Sequence, residues 1–136
     1  MRKRAIVLST LIAVALIIPA THNIGVRVEV LPKRVATKAT MEQKYANKVM
    51  AMRYAKAGWD WDLRQRQCLY KLFTKESRFD HLAKNQQGSS AFGIGQVLKE
   101  TSKDPAIQLL KAYKYISHRY GTPCKAWKHH VSRNWY

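Results

Sequence analysis

Four stretches of the chain carry apolar residues at helical spacing, each bounded by a glycine, an aspartate or a proline. From Met41, the residues Tyr45, Val49, Met52 and Ala55 recur between charged positions until Gly58, which predicts a first amphipathic helix. A second helix opens at Asp60 or Asp62 and runs to about Ser77, with Leu63, Leu69, Leu72 and Phe73 along its apolar stripe. Gly88, Ser89, Ser90, Gly93 and Gly95 then mark a loop-rich stretch. Asp104-Pro105 pairs a capping side chain with a proline suited to the first helical position, and the third helix follows through Leu109, Tyr113 and Ile116 to Gly121. Thr122-Pro123 repeats the device for a last helix carrying Cys124, Trp127 and Val131. No strand of convincing alternation is present, although a short hairpin around residues 79 to 92 is compatible with the pattern, and no internal repeat is visible. The expected class is mainly α: a small helical domain with a loop-rich cleft, spanning 41–136.

Upstream the pattern changes. Residues 23–40 are basic, lack helical periodicity and contain Pro32, so they read as a linker. Before them, Arg2, Lys3 and Arg4 precede an uncharged, mostly apolar run from Ala5 to Ala20, the layout of a secretory signal. Ile18 and Ala20 make a poor cleavage pattern, so residues 1–22 are either a signal peptide or a retained membrane anchor through 5–20. Either way the domain is expected to be exported, periplasmic or extracellular.

Charge narrows the partners without choosing one. The 136 residues hold 25 Lys and Arg against 8 Asp and Glu, a formal charge of +17; loss of the signal would leave about +14. A polyanion or anionic surface is the expected partner, with nucleic acid, anionic lipid and envelope polymers all qualifying. Export also bears on Cys68 and Cys124, because an even pair in an oxidising compartment usually closes a disulfide, stabilising by about 4 kcal/mol in the chain-entropy model. The rival is a metal site using His81, His118, His129 or His130, which no CxxC or HExxH spacing supports. No metal or cofactor is assigned.

The most informative residue is Glu76. It lies seven residues after Leu69, four after Leu72 and three after Phe73, which places a carboxyl group on the apolar stripe of its helix. Desolvation there would raise its pKa, and a carboxylic acid held protonated near neutral pH is what glycoside cleavage needs to protonate a departing oxygen. The plainer alternative is a frayed helix end with Glu76 paired to Lys75 or Arg78.

The neighbourhood of Glu76 carries a resemblance. Glu76-Ser77-Arg78-Phe79-Asp80, then Ala83, Asn85 and Gly88-Ser89-Ser90-Ala91-Phe92-Gly93-Ile94-Gly95-Gln96, resembles the core of the soluble-type lytic transglycosylases of the lysozyme-like superfamily. Tyr115-Ile116, Tyr120-Gly121, Pro123-Cys124-Lys125-Ala126-Trp127 and Trp135-Tyr136 resemble their short secreted versions, and the likeness covers roughly Asp60 to Tyr136. The resemblance implies that Glu76 is the single acid/base, that Ser77 helps to orient it, and that Gln96 lines the sugar cleft. Asn85, Tyr115 and Trp127 would contact substrate, Gly93 and Gly95 would let backbone approach it closely, and Cys68 would pair with Cys124. One departure stands out: where many members have Ala-Tyr-Asn, this chain has Ala126-Trp127-Lys128, so either Tyr113, Tyr115 or Tyr120 supplies the phenol or the contact is absent. Core packing is the alternative for Trp127 and these tyrosines.

The activity so implied is cleavage of the β-1,4 bond between N-acetylmuramic acid and N-acetylglucosamine in peptidoglycan, with a 1,6-anhydro product. Of the remaining acids from Asp60 onward, namely Asp60, Asp62, Asp80, Glu100 and Asp104, only Asp80 is close enough in sequence to share the Glu76 face. The expected partners are peptidoglycan strands and the anionic wall, with no specific nucleic acid and a monomeric state. Two other outcomes fit the sequence: hydrolysis of the same bond, or a cationic exported module that binds glycan or envelope without catalysis.

Overall fold

The computed structural model describes residues 35–136. The signal or anchor expected at 1–22 and the linker up to residue 34 lie outside the described residues. Four helices and one short hairpin follow in order: α1 Met41–Trp59, α2 Leu63–Glu76, β1 Ala91–Phe92, β2 Val97–Leu98, α3 Pro105–Tyr120 and α4 Pro123–Arg133. The fold is mainly α.

Each helix begins where a side chain can accept an otherwise orphaned N–H. Thr40 and Gln43 form a reciprocal capping box ahead of α1. Asp62 caps α2 through the Gln65 N–H, and Asp104 caps α3 through the Ala106 N–H, each at 2.8 Å. Thr122 does the same for α4, with Pro123 behind it as Pro105 stands behind Asp104. α1 runs past Gly58 to Trp59, and left-handed Asp60 ends it.

The core forms around Tyr113 on α3. Its ring stacks on Phe73 and meets Trp59 and Trp61 edge-on, while its hydroxyl donates to the Ala51 carbonyl at 2.7 Å. That bond explains why α1 buries Asn47 and Ala51 along with the expected Ala55, while Tyr45 stays exposed and Val49 and Met52 are only half-buried. Small side chains let the backbone of α1 come within reach of the phenol; Tyr45 would hold it off, and stays exposed. α4 is turned by one position from the expected face: Pro123, Ala126 and His130 face inward, and Val131 faces out. Leu63, expected on the stripe of α2, is also exposed, while Leu69, Leu72 and Phe73 are fully buried.

The hairpin lies later than the 79–92 region considered from sequence. β1 pairs antiparallel with β2, Ala91 opposite Leu98 and Phe92 opposite Val97, and a bridge from Lys84 to Phe92 adds a third strand-like segment. The domain also begins slightly before residue 41. Ala39 is buried, and its N–H donates to Asp80 Oδ1 at 3.0 Å.

Candidate active site

α2 ends at Glu76, with Ser77 as its C-cap. Arg78 and Phe79 both take positive φ, 55° and 60°, a conformation costing about 1–3 kcal/mol per residue. Burial of Phe79 against Phe73 and Tyr70 offsets that strain. The chain therefore turns away sharply after Ser77, leaving the Glu76 carboxyl facing a cleft rather than another turn of helix.

That cleft is a cavity of about 480 Å³ between the end of α2, the hairpin, α3 and the segment after α4. Asn85, Gln87, Gln96, Tyr115, Trp135 and Tyr136 give it a mixed amide and aromatic lining. Burial pushes the Glu76 carboxyl up to about 7. Its Oε1 lies 3.0 Å from His130 Nε2. The imidazole is shifted the other way, below its ordinary value, by burial and then by electrostatic repulsion from Lys75 and from the neighbouring His129 ring. Both shifts favour the uncharged forms of the two groups.

The loop opposite Glu76 is held from two sides. Ser77 Oγ donates to the Ile94 carbonyl at 2.7 Å, and the Ile94 N–H donates to Gln108 Oε1 at 2.9 Å. Gln108 Nε2 then donates to the carbonyls of His81 and Ser102. Ser77 thus ties the helix end to the loop, a different task from orienting the glutamate directly. Gly93 and Gly95 also differ from expectation: neither lines the cleft. A Cβ on Gly93 would lie 2.3 Å from Gln108 Oε1, and one on Gly95 would lie 2.7 Å from Ala112 Cβ, so these glycines admit α3 rather than a ligand.

Gln96, Asn85 and Tyr115 do line the cleft. Gln96 spends its amide N–H groups on the Ala83 and Gly93 carbonyls, which leaves only its acceptor oxygen unspent. Trp127 does not line the cleft. It packs half-buried against the core, stacked on His130 with ring centroids 5.7 Å apart, and so backs the residue that faces Glu76.

Of the three expected phenols, Tyr115 lines the cleft with Glu76, and a fourth, Tyr136, joins it. Tyr113 is spent in the core on Ala51, and Tyr120 is absent from the cleft lining. Tyr136 lies close enough that the Glu76 charge adds to burial in raising its phenol, and its hydroxyl donates to the Gly95 carbonyl. Arg119, also unanticipated, sits in the cleft with Nη1 donating to the Tyr115 hydroxyl at 3.0 Å and its guanidinium 4.9 Å from the Trp135 ring. His130 and Tyr136 were missed because only tertiary packing brings them beside Glu76; Gln108 had a faint signal, an amide one turn before the buried Ala112.

Asp80 is occupied elsewhere. Its Oδ1 accepts from the Ala39 and Leu82 N–H groups, and its Oδ2 faces Lys44 at 3.3 Å. Asp62 and Asp104 are caps, Asp60 pairs with Lys56 and Glu100 with Lys111. Among the described residues, Glu76 is the one acid lining the cleft. The disulfide Cys68–Cys124 joins α2 to the start of α4, the two helices that carry Glu76 and His130. No protein-family model, curated protein or solved structure matches this chain.

Proposed function

We propose that this chain is a lytic transglycosylase that cleaves peptidoglycan between N-acetylmuramic acid and N-acetylglucosamine. The observation that carries the reading is the Glu76 carboxyl, raised to about 7 by burial and lining a cavity of about 480 Å³ in which it is the one acid among the described residues. A carboxylic acid still protonated near neutrality serves as the general acid, and its lone position argues for a single-acid mechanism over a pair of carboxylates.

In that mechanism Glu76 gives its proton to the glycosidic oxygen as the bond to C1 breaks, and the substrate's N-acetyl group stabilises the positive charge that develops. The resulting carboxylate then takes the proton of the muramic 6-hydroxyl as that oxygen bonds to C1. Glu76 is returned protonated, and the product is the 1,6-anhydro sugar. Tyr115 and Trp135 offer aromatic faces for sugar rings, while Asn85, Gln87 and Gln96 offer amide groups for N-acetyl and hydroxyl substituents. Export fits the disulfide, which belongs to an oxidising compartment, and the +17 charge favours encounter with anionic wall polymers.

Digestion of purified peptidoglycan by the wild type and by Glu76→Gln, with mass spectrometry of the released sugars, tests the reading. Anhydro-muropeptides from the wild type alone are expected. Reducing-end products would make the enzyme a hydrolase with the same acid. An intact wall that still binds both proteins would replace catalysis with glycan binding.

A further inference from the structure

The apolar line predicted for α1 is buried only at its far end, where Ala55 is covered and Met52 packs against the core. Met41 and Tyr45 are 76% and 64% exposed, and Val49 is only half-covered. Across from them on α2, Leu63 and Tyr70 are exposed as well. Between the two helices lies a groove of about 800 Å³ with Val49, Met52, Leu63 and Tyr70 as its apolar surface. A second hollow of about 410 Å³ continues it past Tyr45 and Tyr70 toward Phe79. This surface is distinct from the Glu76 cleft and shares no lining residue with it.

Its charge is one-sided. Lys48, Arg53, Arg66 and Lys71 edge the larger groove, Lys44 and Arg78 edge the smaller, and no acid lines either among the described residues. Lys48 Nζ sits over the Tyr45 ring, 4.8 Å from its centre. Tyrosines with apolar bodies and polar tips, ringed by long cations, match the boundary between hydrocarbon and anionic headgroups. The same chain carries the apolar run Ala5–Ala20, which would place a bilayer within linker reach of the domain whenever that run is inserted.

We propose that the α1–α2 face is a membrane-docking surface that takes anionic phospholipid, acyl groups against the apolar groove and headgroup phosphates against the surrounding cations. Docking does not depend on Glu76 chemistry, and Glu76→Gln is expected to dock as the wild type does.

The test uses the full chain with phosphatidylcholine vesicles and with mixed phosphatidylcholine–phosphatidylglycerol vesicles. Each cation at an anionic surface is worth about fivefold in affinity, so Arg53→Gln/Lys71→Gln is expected to lose roughly 25-fold on mixed vesicles and little on neutral ones. Lys114→Gln/Lys125→Gln, with the same charge change on exposed positions of α3 and α4, is expected to lose several times less. Tyr45→Trp adds a local reporter, whose emission should move to the blue and be quenched by brominated lipid on mixed vesicles. Equal losses for the two double variants would overturn the proposal, as would a Tyr45→Trp emission unchanged by vesicles. A shift produced instead by an acidic amphipathic peptide would assign the face to a protein partner.

Discussion

His130 Nε2 lies 3.0 Å from Glu76 Oε1, with the two side chains 11% and 15% exposed. The contact joins the last residue of α2 to the inner face of α4, and Trp127 backs the imidazole from the other side. The imidazole in that place helps to keep water from the carboxyl, and that burial raises it.

If Glu76 is the acid, peptidoglycan cleavage falls as pH rises through about 7, where the carboxyl loses its proton. His130→Ala admits water, so this alkaline limb is expected to move about one unit toward acid. A pH–rate profile of the variant checks the shift. Movement toward higher pH would mean that His130 is charged in the wild type and holds Glu76 as a carboxylate.

The same group makes stability depend on pH. A carboxyl whose folded pKa is raised stabilises the fold at pH below its unfolded value, and that contribution is lost as pH rises through about 7. The wild type should therefore lose up to about 3 kcal/mol relative to Glu76→Gln across this window. His130 has the opposite sign: its depressed pKa leaves its contribution intact above its ordinary value and removes it as pH falls. Urea unfolding of both proteins at pH 5 and pH 8 measures the difference; curves with the same offset at both values would contradict the buried acid.

Gly93 and Gly58 should respond oppositely to alanine. At Gly93, φ is 77° and the new Cβ would collide with Gln108, which pins Ile94, His81 and Ser102, so Gly93→Ala is expected to cost about 2–4 kcal/mol. At Gly58, in the last turn of α1, nothing lies within 4 Å of the new Cβ, and alanine should stabilise by about 0.5–1 kcal/mol. Thermal denaturation of the two variants checks the signs.

Reduction of Cys68–Cys124 is expected to destabilise the fold by about 4 kcal/mol, since the bond closes a loop of sequence separation 56. Because it joins the helices of Glu76 and His130, the reduced protein should also lose the elevated Glu76 pKa before it unfolds globally. Denaturation with and without reductant, together with carboxyl titration by NMR, separates the two effects.

The tryptophans divide by task. Trp135 lines the cleft and meets His129 edge-on, whereas Trp127 packs against the core. Trp135→Ala is expected to weaken glycan binding with little change in unfolding temperature, while Trp127→Ala is expected to destabilise by about 3 kcal/mol. Calorimetry with soluble glycan fragments and thermal scans of both variants distinguish the roles.

Helix ends were the most legible part of this protein, because capping is local. Asp104-Pro105 and Thr122-Pro123 start helices by chemistry confined to a few neighbouring residues, and Gly121 stops one because its backbone accepts a positive φ. Glu76 was legible for a related reason: seven, four and three residues from Leu69, Leu72 and Phe73, a carboxyl cannot leave the buried side of α2. Helix faces were harder. α1 has two stripes of helical spacing, one bulky and one small, and only the reach of the Tyr113 hydroxyl to Ala51 decides that the small one is buried. The neighbours of Glu76 were out of sequence's reach altogether. His130 stands 54 positions away and Tyr136 stands 60, so nothing local distinguishes them from other histidines and tyrosines. Sequence alone determined where helices begin and that one of them buries an acid, since those depend on spacing within a few turns. Tertiary structure decided which side chains surround that acid and which apolar stripe stays outside, since those depend on how closely separate helices can approach.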